Sequence, residues 1–357
     1  MHHAENTTAT RRWPLDVTRV VAVIGVAAIH VFGAMVSDPA LQGSRSWWAA
    51  VAIDIGFIWV VPVFVMISGA LILEPRQFAR GTMSFYRRRL GRLAPALVFW
   101  SVFYFVLVRS GLSGLPITRE ALASFVLDGR PYTHLYFLWL IIGLYAIAPV
   151  LAAFLGDGGH RRAVIFASVV LSVTVITGIS SSFLTAMGQP RPLTLLAPTQ
   201  WLPYAGYFLA GWALRTVVLR GWRLGGLMAG TIAMIVLCIL QYGARPRVVL
   251  ADALAPVGYY GPLVAGASLG VFVCMNSGLA AWRPGARAAR TLRELSDSAF
   301  GMFLVHFAVI VGLREIPLFA QAHTSLSLSA VEWMIVVAVS FALVIGLRRV
   351  PYLNRLV

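Results

Sequence analysis

The sequence predicts an all-α polytopic integral membrane protein with about ten transmembrane helices and both termini in the cytoplasm. Three observations predict it. First, 59% of the 357 residues are apolar and only 12% are charged, about half the charged share of an ordinary soluble domain. A globular core cannot hide that much apolar surface, and disorder is excluded for the same reason. Second, the apolar residues gather in runs near the roughly 20 residues that a bilayer crossing needs. Third, the 29 basic residues, all arginine, sit in short patches between those runs. A nucleic-acid-binding protein would instead collect its charge on a polar domain, so no nucleic acid partner is expected.

In chain order the runs are 17–37, 48–73, 93–110, 134–156, 163–185, 201–219, 225–242, 257–277, 297–317 and 329–347. The first follows two arginines, as a signal peptide would, but Arg19 and His30 make it unlike a discarded segment. Pro, Gly and Arg fill the connectors, of which 111–133 is the longest on the outer side. Trp47, Trp48, Trp201 and Trp333 fall near span ends, where interfacial aromatics belong. Alternating from a cytoplasmic N-terminus puts 21 arginines inside and 8 outside, the asymmetry that fixes orientation. The whole chain, 1–357, reads as a single transmembrane domain with short cytoplasmic tails at 1–12 and 348–357. Cys238 and Cys274 both lie in apolar runs, with no disulfide framework or zinc spacing.

Ionisable residues inside spans are costly and mark function. In LDVTRVVAVIGVAAIH, Arg19 and His30 are eleven residues apart. That is close to three helical turns, so both project from one face, about 16 Å apart along the axis. Asp16 sits one turn before Arg19 and can pair with it. Arg89 and Arg92 are one turn apart before Pro95 and can grip one polyanion together. Ser68 and Gly69 make a small, close-packing spot. Asp54 should face the bundle interior, and His134, Tyr136 and Trp139 open the fourth span on the outer side. Ser298 and His306 bring a second histidine into the ninth span. No HExxH, GxSxG, GxGxxG or Walker pattern is present.

Together these residues resemble the acyltransferase-3 family. The opening LDVTRVVAVIGVAAIH is similar to its LDxxR segment and following His, and VFVMISGALIL to its FF-x-SG segment. YRRRLGRLAP resembles its RxxR segment before Pro, and HLYFLWLIIGLYAIAPVL and SAFGMFLVHF resemble two later segments. Met66 and Phe303 replace commoner family residues. The resemblance runs over residues 13–350. It implies an O-acyltransferase that moves an acetyl or other short acyl group from acetyl-CoA, or another acyl-CoA, to a hydroxyl. The acceptor would be a cell-envelope glycan, a lipid-linked sugar or a hydroxylated metabolite, and the setting a bacterial-type inner or plasma membrane. No cofactor and no metal are implied. By position, Arg19 and His30 match the family's essential pair, and Arg89 and Arg92 its RxxR pair.

On this reading Arg19, Arg89 and Arg92 form a cationic mouth for the CoA phosphates. His30 either takes the acceptor's proton as general base or accepts the acyl group itself. Asp16 orients Arg19, while Ser68, His306 and Tyr136 are candidates for the oxyanion donor. His134 and Tyr136 would line an acceptor entry. The alternative is an exporter of polysaccharide or lipid-linked material, which ten spans with internal Arg, His and Asp also suit. Against it stands the lack of paired inverted repeats.

Overall fold

All ten apolar runs contain helix in the computed structural model, which describes residues 11–245 and 247–357. Residues 1–10 of the expected tail lie outside the described residues. No strand occurs among the described residues. A chain in lipid must satisfy its own backbone, and the helix does so within one segment.

The first run is α1 (Trp13–Val36), with Pro14 in its first turn, where a missing N–H costs nothing. The second is two helices, α2 (Arg45–Gly56) and α3 (Val60–Ile72), and Ser44 caps α2 by accepting from the Trp47 amide at 3.1 Å. Next comes α4 (Thr82–Val102), which continues as a π-helical stretch through Phe103–Leu112. The outer connection after it holds a short helix, α5 (Arg119–Leu127), which the apolar pattern does not announce. The fourth and fifth runs are the two limbs of α6 (Tyr136–Ala186), Tyr136–Gly156 and Gly158–Ala186. They turn at Gly159, whose φ of 59° suits glycine. The remaining runs are α7 (Ala205–Leu214), α8 (Gly221–Gly243), α10 (Pro262–Gly278), α11 (Ala286–Arg314) and α12 (Leu326–Leu347), with a small α9 (Val249–Leu254) between α8 and α10.

Among the described residues eight helical segments, counting α2 and α3 together and the two limbs of α6 separately, are long and apolar enough to cross a membrane. The runs at 201–219 and 257–277 give shorter ones. α7 has 10 residues and follows a 3-10 turn at Leu202–Tyr204 that contains Pro203, while α10 has 17 because the chain becomes helical only at Pro262. Helix α11 begins well before its apolar run, as an arginine-bearing extension.

Ion pairs sort the connectors into two ends. At one end Glu74 holds both Arg12 (3.2 Å) and Arg215 (3.1 Å), and Asp297 meets Arg11 (2.9 Å) and Arg348 (3.9 Å). At the other, His323 lies 3.8 Å from Asp38, and the Gln200 amide donates to the Asp128 carbonyl at 3.2 Å. These groups are the ones that alternation assigns to opposite sides.

Helices α1, α2, α3, α7 and α11 are the most buried of the helices, whereas α8 is mostly exposed. Isoleucines and valines such as Ile176, Val173 and Ile232 point outward, as lipid-facing residues do. The tightest crossing is α3 on α7. A Cβ at Gly69 would strike the Phe208 carbonyl oxygen, and one at Gly211 the Met66 carbonyl oxygen. Small residues let backbones approach where lipid supplies no hydrophobic force. Asp54 turns toward α1 at Gly33, where a Cβ would stand 3.7 Å from its Oδ2.

Candidate active site

The first two turns of α1 place Asp16 and Arg19 at the arginine-rich end. Asp16 is buried and accepts from Arg11 Nε (2.6 Å) and Nη2 (3.1 Å) and from Ser296 Oγ (2.6 Å). Arg19 Nη1 donates to Ser296 Oγ at 3.2 Å and stands 3.9 Å from Asp16 Oδ1. The expected Asp16–Arg19 pair is therefore made chiefly through a serine on α11. Burial opposes the charge on Arg11, but its hydrogen bonds to Asp16 and Asp297 outweigh that and hold its pKa above the ordinary guanidinium value.

Arg89 and Arg92 project from α4 toward the same place. Arg89 donates to the Gln77 amide oxygen at 2.8 Å and lies 5.9 Å over the Tyr145 ring. Arg92 is exposed and makes no hydrogen bond or ion pair among the described residues. Arg348 comes from the end of α12 and donates to Ser298 Oγ at 2.8 Å. These side chains surround a cavity of about 500 Å³ that Arg19, Ser68, Arg89, Arg92, Asp297 and Arg348 line on its polar side. Four arginines against one aspartate make it strongly cationic. Its apolar lining includes Phe64, Phe137 and Phe303. Phe303 lies seven residues beyond Ser296, about 10 Å deeper along α11.

Beyond those rings sit three histidines. The His30 and His306 ring centroids are 5.3 Å apart, His134 and His306 5.1 Å, and His30 and His134 6.3 Å. His134 and His306 are buried, while His30 keeps partial exposure and packs on Phe307 at 4.8 Å. His306 Nδ1 is 2.7 Å from the Phe303 carbonyl oxygen. A carbonyl only accepts, so Nδ1 carries the proton and the neutral ring keeps a lone pair on Nε2. That form cannot donate from Nε2 to an oxyanion. Among the described residues His306 Nε2 and both His134 nitrogens have no partner. No group of three or more His, Cys, Asp or Glu among the described residues is arranged to hold a metal ion. The Tyr104 hydroxyl donates to the Leu304 carbonyl (2.6 Å) and accepts from the Ala308 amide (3.0 Å), flanking His306.

The spacing argument for α1 has a structural counterpart. Arg19 meets Ser296 and His30 meets His306, so α1 and α11 run alongside in the same direction with matching intervals. Arg19, Arg89, Arg92 and Ser68 are brought together in the cavity, and His30, His134 and His306 in the cluster. His30 is not among the cavity's lining residues; Phe303 stands between, touching the cavity on one side and His134 (5.3 Å) and His306 (5.9 Å) on the other. Tyr136 goes elsewhere. Its neighbours are Tyr204, Tyr259 and the Arg130 guanidinium, 5.9 Å over its ring. Sequence reasoning missed Ser296, Asp297, Tyr145 and Arg348. The signal for α11 was present: Ser296, Ala299, Phe303 and His306 recur at helical spacing and form one stripe.

A family model described as an acyltransferase domain matches residues 13–349, nearly the whole chain. The chain belongs to the acyltransferase-3 family. No curated protein and no solved structure matches it. This acyltransferase-3 protein is a membrane acyltransferase. The matched region spans the cavity and the histidine cluster alike, from Asp16 to Arg348.

Proposed function

We propose that this membrane acyltransferase moves an acetyl or other short acyl group from a cytoplasmic acyl-CoA to a hydroxyl on a cell-envelope glycan, a lipid-linked sugar or a related acceptor. It works in a bacterial-type inner or plasma membrane, with both termini in the cytoplasm, and needs no cofactor. The observation that carries this reading is the arginine-lined cavity at the foot of the α1–α11 stripe. CoA bears several phosphate charges, and guanidinium forks match phosphate geometry. The same end gathers the basic connectors, which the positive-inside rule assigns to the cytoplasm.

In the reaction the acceptor hydroxyl oxygen attacks the thioester carbonyl carbon while His30 takes its proton. The tetrahedral intermediate then expels the CoA sulfur, which takes that proton back from the imidazolium. Ser68 lines the cavity and, in this reading, donates to the oxyanion. Asp16 acts as a positioning residue, through Ser296 on Arg19.

The test uses purified protein with labelled acetyl-CoA. Wild type should bind CoA and transfer label to envelope glycans or lipids, whereas His30→Ala, once shown to be folded, should bind CoA but not transfer. Transfer by His30→Ala at the wild-type rate refutes the role of His30. No binding of CoA by wild type refutes the donor. Label trapped on His30 after acid quench replaces the direct route with an acyl-imidazole route.

A further inference from the structure

The cavity's deep end is a wall of rings. Phe64 and Phe137 have centroids 6.2 Å apart, and Phe137 and Phe303 5.2 Å. Phe137 and Phe303 are both buried. One turn nearer the arginines, Ala299 is fully buried and lines the cavity with only a methyl group, which leaves room in front of Phe303. A donor whose phosphates sit among the arginines therefore points its acyl end at these rings. The proposal rests on the reading of the cavity as an acyl-CoA site.

We infer that the paired rings of Phe137 and Phe303 fix the length of the acyl group, by closing the space between the cavity and the imidazole cluster. A two-carbon unit ends in front of the wall and is admitted to His30 as the Phe303 ring turns aside. A longer chain meets both rings before its thioester reaches the depth at which a short one reacts. Phe303 is suited to this because its ring and its backbone have separate tasks. The ring closes the cavity, and the carbonyl holds His306 in one tautomer. Truncating the side chain thus opens the wall and leaves that carbonyl in place.

The experiment measures dissociation constants of CoA, acetyl-CoA, butyryl-CoA and hexanoyl-CoA with the full-length protein in detergent, which requires no knowledge of the acceptor. Wild type should bind hexanoyl-CoA no more tightly than acetyl-CoA. Phe303→Ala and Phe137→Ala should each shift the hexanoyl-to-acetyl affinity ratio upward by roughly 10-fold or more, the discrimination that pocket space for even one methylene supports. The affinity for CoA itself, which has no acyl end, should stay within twofold. If the alanine variants do not fold, Phe303→Leu and Phe137→Leu keep the wall apolar and should move the ratio in the same direction. An unchanged ratio in folded variants of both positions overturns the inference while leaving the donor assignment intact. Failure of wild type to bind any member of the series overturns the donor assignment and the inference with it.

Discussion

Ser296 offers the sharpest test of how the arginine end is built. Its hydroxyl gives a 2.6 Å hydrogen bond to Asp16 and accepts a 3.2 Å hydrogen bond from Arg19. Ser296→Ala removes both at a buried position. Hydrogen bonds involving a charged partner contribute about 1.5–3 kcal/mol. Asp16 keeps its two bonds from Arg11, so its carboxylate is not orphaned and the lower figure applies. Arg19 loses the only hydrogen bond it makes among the described residues. If the donor's phosphates meet Arg19, a loss of about 1.4 kcal/mol appears as a tenfold weaker dissociation constant for acetyl-CoA. Titration calorimetry on wild type, Ser296→Ala, Arg19→Ala and the double variant closes the cycle. In the Arg19→Ala background the serine change should cost less than twofold, because the group it positions is gone. Equal losses in both backgrounds would refute the idea that Ser296 acts through Arg19.

Three further outcomes follow from packing and charge. Gly69→Ala drives a methyl group into the Phe208 carbonyl, which belongs to backbone and cannot move aside, so the variant should lose thermal stability sharply in detergent; Gly91→Ala, with nothing near its Cβ, should be neutral or slightly stabilising in the same melting assay. Glu332 is fully buried and pairs with Arg314 at 2.7 Å, so Glu332→Gln should destabilise by about 2 kcal/mol, the partial exposure of Arg314 keeping the loss below that of a fully buried pair. Raising sodium chloride from about 0.05 to about 0.5 M should weaken acetyl-CoA binding several-fold, since exposed charges are then screened within a few ångströms, and the effect should shrink in Arg92→Ala.

The fold was legible because lipid imposes one rule on every segment. Apolar length marks the crossings, and arginine placement sorts their ends. What escaped were features that length and charge do not encode. The break between α2 and α3 lies inside one continuous apolar run, and α5 and α9 are too short to stand out in their connectors. In the site, Arg19, His30, Arg89 and Arg92 were readable because charge inside an apolar run is conspicuous. Ser296 and Asp297 were not, since they lie at the boundary where polar residues are ordinary and only the crossing of α1 with α11 gives them a role. Tyr136 was misdirected by sequence adjacency. It is two residues from His134, but on entering α6 the two side chains diverge, one toward the histidines and the other toward Tyr204 and Tyr259. Phe303 looked like a conservative departure from family habit, and only its position between two chambers gives its ring a meaning.

The Tyr104 hydroxyl has a mechanical consequence. Leu304 and Ala308 stand one helical step of four apart on α11, and a phenol from the π-helical stretch after α4 bonds to the carbonyl of the first and the amide of the second. The longest interior rod of the protein is thus pinned at the level of its imidazole by a neighbour, and any shift of α11 there must carry the Tyr104 phenol along or break both hydrogen bonds.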